Sequence, residues 1–318
     1  MITLADIHAA QQRIAGAVVR TPLVLLPQTE SPSEIYLKDE SAQPIGSFKL
    51  RGAYNKIGQF SPEQLRRGVI AYSSGNHAQG VAWAARRLGA KAIIVMPATT
   101  PAIKREATAA LGAEIILVGP ASSERRLKAE ALAAQHGYAI VPPYDDPEII
   151  AGQATCGLEI LEQLPTIDLV LAPVGGGGLL SGVATVIKLT NPRIQIWGAE
   201  PALAADAKAS FDTRSLVEWP ATDAARTVAD GLRTQSLGRL NLQHILAHVD
   251  GMLAVTEDEI LNAMRLMLAT TSIVPEPSGA VALAAALYHA HELPPAERVA
   301  VILSGGNLDP NLRRELLP

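Results

Sequence analysis

The sequence predicts an α/β fold whose parallel sheets are covered by helices on both faces. Three observations carry that reading. Short β-branched runs alternate with longer, alanine-rich amphipathic runs along most of the chain. The conspicuous turns follow the strand-like runs: SSGNH after 69–72, GGGG after 168–174, AEP after 194–198 and SGGN after 298–303. The 318 residues are 48% apolar and only 18% charged, which suits a sizeable core spread over about two domains.

Taken in order, VIAYSS (69–74) has the pattern of a buried strand, and NHAQGVAWAARRLG (76–89) that of a helix closed by Gly89. KAIIVMP (91–97) is the next strand. Thr100 as N-cap with Pro101 in the first turn starts a further helix. EIILVG (114–119) and a helix from Ser123 to His136 follow. A helix over 147–164, the strand DLVLAPV (168–174), the helix GLLSGVATVIKL (178–189) and the strand IQIWGAE (194–200) continue the alternation. TEDEILNAMRLMLATT (256–271) opens with a capping box, Thr256 with Glu259 three residues on, and RVAVILS (298–304) is a late strand. Ligands in such folds sit beyond the C-terminal strand ends, where these glycine-rich and polar loops fall.

Composition excludes several classes. The chain is too apolar and too weakly charged for disorder. Acidic residues (31) outnumber basic ones (27), the formal charge is −4 and aromatics make up 4%, so the footprint of a nucleic-acid binder is missing. The single cysteine, Cys156, can form neither an internal disulfide nor a multi-cysteine zinc site, and a cytoplasmic location is expected. MITLADIHAAQQRIAG lacks a basic start followed by an apolar run. The apolar stretches are interrupted well short of a membrane span. The expected partner is a small molecule.

Four motifs and one acidic pair carry chemistry. Gly175-Gly176-Gly177-Gly178 lies between a strand and a helix, where free N–H groups and the helix dipole suit a phosphate. No Gly-Lys-Ser/Thr closes a P-loop. The dinucleotide fingerprint fails as well, because its third glycine position holds Leu180 or Ser181, or else its middle position holds Leu179. In Ser47-Phe48-Lys49-Leu50-Arg51-Gly52-Ala53, the apolar neighbours of Lys49 favour a neutral amine able to form a Schiff base, although most such lysines only snorkel from a helix. Ser73-Ser74-Gly75-Asn76-His77 gathers N–H groups and hydroxyls that suit a carboxylate; an ordinary N-cap at Ser74 or Asn76 explains it equally well. Ser304-Gly305-Gly306-Asn307 places a hydroxyl and bare backbone at a strand end, or is simply a turn. Glu200 and Asp206, with the Ala204 carbonyl between them, can ligate a hard cation. Spacing alone favours acids placed for a helix dipole.

Together these motifs resemble the pyridoxal-phosphate enzymes of fold type II, in the threonine/serine dehydratase and serine racemase branch. SFKLRGA is similar to the Schiff-base lysine motif, SSGNHAQG to the substrate-carboxylate loop and GGGGL to the phosphate loop, and EPSGA (276–280) and SGGN also match. The motifs keep family order from residue 47 to 307, nearly the whole chain. The resemblance implies a two-lobed, three-layer αβα fold with pyridoxal phosphate in the cleft. A small domain of residues 59–145 would be inserted into a large one made of 1–58 and 146–318.

It also implies roles. Lys49 would carry the cofactor and then act as the base on one substrate face. Gly175 to Gly178, with Leu179, would bind the phosphate. Phe48 would pack on the ring, Asn76 would bond its hydroxyl, Ser304 would meet its nitrogen and Gly231 would line its side. Ser73, Ser74, Gly75, Asn76 and His77 would receive the substrate carboxylate. Glu200, Ala204 and Asp206 match the Mg²⁺/Ca²⁺ site of this branch. The implied activity is β-elimination from L-threonine or L-serine to a 2-keto acid and ammonia, by a homodimer.

Some positions keep alternatives open. Ser74 stands where racemases of the family have their second acid/base, and where biosynthetic threonine dehydratases generally carry alanine. Arg125 falls where serine racemase has an arginine that can reach a distal carboxylate, so racemisation or dehydration of L-threo-3-hydroxyaspartate stays open. Tyr144 leans back towards a dehydratase. Gln43-Pro44-Ile45-Gly46 departs from the family in a loop before the lysine. The chain ends soon after SGGN, so inhibition by isoleucine through a C-terminal regulatory domain is not expected. A non-catalytic phosphometabolite-binding protein would use GGGG without needing SFKLRG or SGGN.

Overall fold

Ten strands form two sheets in the computed structural model, which describes residues 1–27, 31–119 and 122–316. They are β1 (Leu23–Leu25), β2 (Glu34–Asp39), β3 (Val69–Tyr72), β4 (Ala92–Pro97), β5 (Ala113–Val118), β6 (Ala139–Ile140), β7 (Leu169–Pro173), β8 (Gln195–Pro201), β9 (Gly251–Val255) and β10 (Arg298–Leu303). The larger sheet runs β1-β2-β10-β7-β8-β9, parallel except for the antiparallel β1–β2 pair. The smaller runs β5-β4-β3-β6 and is wholly parallel.

Alternation along each strand divides the core. In β10, Ala300 and Ile302 join one cluster with the helices Leu4–Ile14, Pro147–Gln163 and Gly178–Thr190. Val299, Val301 and Leu303 join another with Glu257–Thr270 and Pro277–Tyr288. In the smaller sheet, Val69, Ala71, Ile94 and Met96 face the helices Lys49–Ile57 and Asn76–Arg87. Ile70, Ile93 and Val95 face Ala129 of the helix Ser122–His136. Both sheets are therefore three-layer αβα units. Burial on both faces is why their strands read as continuous Val/Ile/Leu/Ala runs. No described helix is long and apolar enough to cross a membrane.

Most boundaries match expectation within two residues. The capping box of Thr256 and Glu259 forms as read. Gly89 is the left-handed residue (φ 71°) just after Leu88, and Ala90 N–H reaches the Ala85 carbonyl at 2.8 Å, a Schellman closure. Thr100 is not an N-cap. The helix is Ala102–Ala110, its cap residue is Pro101, and the buried Thr100 hydroxyl has no partner among the described residues.

The helix opening with Lys49 is held at very close range. A Cβ on Gly152 would lie 2.6 Å from Gly52 Cα, so only glycine lets Pro147–Gln163 cross the Lys49 helix here. Beside that crossing lies a buried ion quartet. Arg51, Lys38 and Glu40 are 0% exposed. Arg51 pairs with Glu40 and with Glu159, each at 2.7 Å, and Lys38 pairs with Glu159 at 2.7 Å. Thr21 donates its hydroxyl to Glu40 at 2.6 Å. Burial works to raise the Glu40 carboxyl, but Arg51, Thr21 and Lys38 together hold it below its usual range.

Candidate active site

Loops at the C-terminal ends of both sheets meet around Lys49. Ser47 bridges to Gly305, and Phe48 N–H donates to the Ser304 carbonyl at 3.1 Å, so the lysine helix begins beside the end of β10. Gly80 of Asn76–Arg87 packs on the Lys49 main chain, where a Cβ would lie 3.3 Å from its carbonyl carbon. Lys49 Nζ donates to the Pro143 carbonyl at 3.1 Å and lies 5.1 Å from the Phe48 ring centroid. Among the described residues no carboxylate pairs with it. The residue keeps some accessible surface, yet burial around its nitrogen lowers the ammonium to about 8. A lysine so placed reaches its neutral, nucleophilic form far more readily than a solvated one.

Pro143 leads to Tyr144, whose ring lies over the four-glycine loop; a Cβ on Gly176 would overlap it. Gly177 takes a left-handed conformation (φ 92°) and starts Gly178–Thr190 with no side-chain cap. The N–H groups of Gly175, Gly176 and Gly177 donate to no acceptor among the described residues. Uncapped donors at a helix N-terminus fit a phosphate. Leu179 is buried in the core behind them, so it can contribute only main chain.

The SSGNH segment is not an ordinary cap either. Gly75 occupies the cap position of Asn76–Arg87, and no side chain caps the helix. Neither Ser74 nor Asn76 caps it. The Ser73 hydroxyl accepts from Gly75 N–H at 3.3 Å, while the Ser74 hydroxyl bonds no described residue. The loop is half-exposed and has free donors, as a carboxylate site requires. The His77 ring points away. Its Nε2 meets the Val141 carbonyl at 2.9 Å, and burial lowers its pKa to about 3, so the ring stays neutral and only its main chain can serve the loop.

Ser304 is buried and donates to the Ser278 carbonyl at 3.4 Å. Gly231, in a turn beside the glycine loop, donates to Ser278 Oγ at 2.9 Å. Asn76 Nδ2 donates to Glu276 at 2.6 Å, and Asn76 Oδ1 accepts from Asn307 at 2.7 Å. Glu276 and Asn307 lie in motifs read from the sequence, but neither drew attention by type. Glu276 reads as the residue before a helix-starting Pro277, and its partner is 200 positions away. Phe48, Lys49, Ser73 to His77, Gly175 to Gly178, Gly231 and Ser304 are thus linked by one chain of contacts, which brings together a basic amine, N–H groups without a described acceptor and a buried hydroxyl. That set fits pyridoxal phosphate.

Arg125 and the acidic pair lie outside this chain of contacts. Arg125, on Ser122–His136, is half-buried; its Nε has no partner among the described residues, and burial lowers its pKa. Glu200 lies near the end of β8, whose neighbour β7 feeds the glycine loop. Glu200 accepts from the N–H groups of Ala207 at 3.1 Å and Lys208 at 2.8 Å. Both carboxylate oxygens of Asp206 are buried without a partner among the described residues. Burial raises Asp206 to about 7, and burial together with the Asp206 charge pushes Glu200 well up. Lys208 Nζ is committed to Asp212 at 2.7 Å. No cluster of three or more His, Cys, Asp or Glu forms among the described residues, so no third side chain of these types joins Glu200 and Asp206.

The family model for pyridoxal-phosphate dependent enzymes matches residues 14–305. The chain is 40% identical to L-threo-3-hydroxyaspartate ammonia-lyase of Saccharomyces cerevisiae, covering 96% of this chain and 94% of that protein. The crystal structure of threonine deaminase from T.th. superposes with a TM-score of 0.92 at 44% identity, covering 97% of this chain and 99% of that one. Serine racemase from Dictyostelium discoideum superposes with a TM-score of 0.91 at 36% identity, with the same coverage. The chain belongs to the family of pyridoxal-phosphate-dependent enzymes.

Proposed function

We propose that the protein is a pyridoxal-phosphate-dependent ammonia-lyase acting on L-threonine or L-serine. The observation that carries this is Lys49: its nitrogen shielded, paired with no described acid, lowered to about 8 and linked through Pro143 and Tyr144 to the uncapped N–H groups of the glycine loop. A non-catalytic phosphate binder has no use for such an amine. When bound, the cofactor supplies an electron sink for the α-carbon. Gly175 to Gly178 would hold its phosphate, Phe48 would pack on its ring, and the neutral Ser304 hydroxyl would meet its nitrogen. The SSGNH donors hold the substrate carboxylate. Lys49 would take the α-proton and the β-hydroxyl would leave as water after gaining a proton; the released enamine tautomerises to an imine, which water hydrolyses to a 2-keto acid and ammonia. A neutral hydroxyl at the ring nitrogen stabilises accumulated negative charge less than an aspartate does, which favours prompt loss of the β-hydroxyl.

Two observations support a second reading. The free Ser74 hydroxyl suits a second acid/base, hence racemisation. The unpartnered Nε of Arg125 suits a β-carboxylate, hence L-threo-3-hydroxyaspartate. Assaying keto acid and D-amino acid from L-serine, L-threonine and L-threo-3-hydroxyaspartate separates these readings. Ser74→Ala should lower any racemisation by about 10²-fold or more while leaving elimination measurable. D-serine formation that survives the change removes Ser74 from that role.

Glu200, Asp206 and the Ala204 carbonyl would hold Mg²⁺ or Ca²⁺, because two buried carboxylates, one with both oxygens unpartnered among the described residues, call for a cation. Chelator should lower the melting temperature, and either cation should restore it. The shift corresponds to about 2.7 kcal/mol at a cation concentration a hundredfold above Kd. An unchanged melting curve would dismiss the site. The same reading gives a cytoplasmic homodimer whose small lobe spans 59–145. The four strands of the smaller sheet, all between Val69 and Ile140, support that division.

A further inference from the structure

Asn76 is clamped on two sides by residues with no other task in the cleft, and we infer that Glu276 and Asn307 are positioning residues that force the Asn76 amide to present an N–H, and not its carbonyl, to the cofactor ring. The inference rests on the reading of Asn76 as the contact for the ring hydroxyl.

The orientation follows from a chain of donors and acceptors. The Ile45 carbonyl can only accept, and Asn307 Nδ2 donates to it at 2.9 Å. The same nitrogen donates to Asn76 at 2.7 Å, so the Asn76 oxygen must face Asn307. Asn76 Nδ2 is then left facing Glu276, and donates to its Oε1 at 2.6 Å. Its amide nitrogen carries two hydrogens. One is used, and the other has no partner among the described residues. A free N–H beside a ring hydroxyl stabilises the ionised oxygen, whereas a carbonyl there would repel it.

The clamp is built into the fold. A Cβ on Gly305 would overlap Glu276 Oε1, and a Cβ on Gly46 would overlap Asn307 Oδ1. These glycines open the two slots. Glu276 N–H donates to the Gly305 carbonyl at 3.0 Å and Gly306 N–H to the Gly46 carbonyl at 2.9 Å, which interlocks the three loops. Glu276 stands at the cap position of Pro277–Tyr288 yet caps nothing, because its carboxylate is turned to Asn76.

The test compares Glu276→Met, which keeps bulk but removes the acceptor, with Glu276→Gln, which keeps an accepting oxygen. Asn307→Ala opens the other side of the clamp, and Asn76→Ala is the control. Readouts are the affinity of each apo-protein for pyridoxal phosphate, the visible spectrum of the bound cofactor and the melting temperature of the apo-protein. Glu276→Met and Asn307→Ala should each bind about tenfold more weakly, and Glu276→Met should show a displaced visible band while its apo-protein melts with the wild type. Glu276→Gln should bind within about threefold of wild type. The inference is overturned if Glu276→Met binds and absorbs like wild type, or if Glu276→Gln loses as much as Glu276→Met. Should Asn76→Ala itself bind like wild type, the reading of Asn76 fails, and the clamp with it. Should only Asn76→Ala bind weakly, the clamp alone is wrong.

Discussion

Replacing Lys49 by alanine should abolish the yellow absorbance of the purified protein and lower turnover by more than about 10³-fold. Two functions disappear with one side chain: the amine that anchors the cofactor and the base that removes the α-proton. The main chain around residue 49 is held by the bridge of Ser47 to Gly305, by Gly80 and by the Gly52–Gly152 crossing. None of these needs the lysine side chain, so the variant should fold. The lowered pKa adds a second expectation. An amine attacks only when neutral, so uptake of pyridoxal phosphate by the apo-protein should accelerate with pH up to about 8 and then level off. A solvated lysine would not level off until above about pH 10. A variant that keeps the band, or uptake that keeps accelerating past about pH 9, would contradict the role given to this residue.

Arg51→Met should destabilise the protein by about 3–5 kcal/mol, seen as a lower urea midpoint. Arg51 alone touches both acids of the quartet, Glu40 and Glu159. Without it, the fully buried Glu40 keeps only the Thr21 hydroxyl, the Gln43 amide at 3.3 Å and the field of Lys38. The double variant Arg51→Met, Glu40→Met should recover much of the loss, because it removes the stranded charge and leaves the Lys38–Glu159 pair intact. A single-variant cost under about 1 kcal/mol would show that water or rearrangement compensates the charge.

What the sequence made legible, and what it hid, follows from distance along the chain. β4, β7 and β10 are continuous apolar runs, since both faces of each are covered, and the loops after β7 and β10 carry site motifs. β2 escaped notice. EIYLKD looks too charged for a central strand, and Lys38 is buried only because Glu159 arrives from a helix 121 residues away. β1 and β6, of three and two residues, are too short to show a period. Thr100 misled because a threonine before a proline has the form of a cap, while the fold turns its hydroxyl inward. Ser74 and Asn76 show the opposite case. Good capping residues stand there and do not cap, leaving helix donors free for a ligand, and such departures from local preference concentrate at functional sites. The site residues were readable as motifs. The supporting roles of Pro143, Glu276 and Asn307 were not, although the last two lie inside those motifs, since each acts across a long separation.

The most direct test of Lys49 as the cofactor's anchor is chemical. Purified protein loaded with pyridoxal phosphate is reduced with borohydride, digested and mapped by mass spectrometry. The expected result is one pyridoxyl-phosphate adduct, on the peptide containing Lys49. A protein that binds the cofactor but carries no adduct after reduction, or carries it on another lysine, would contradict the assignment.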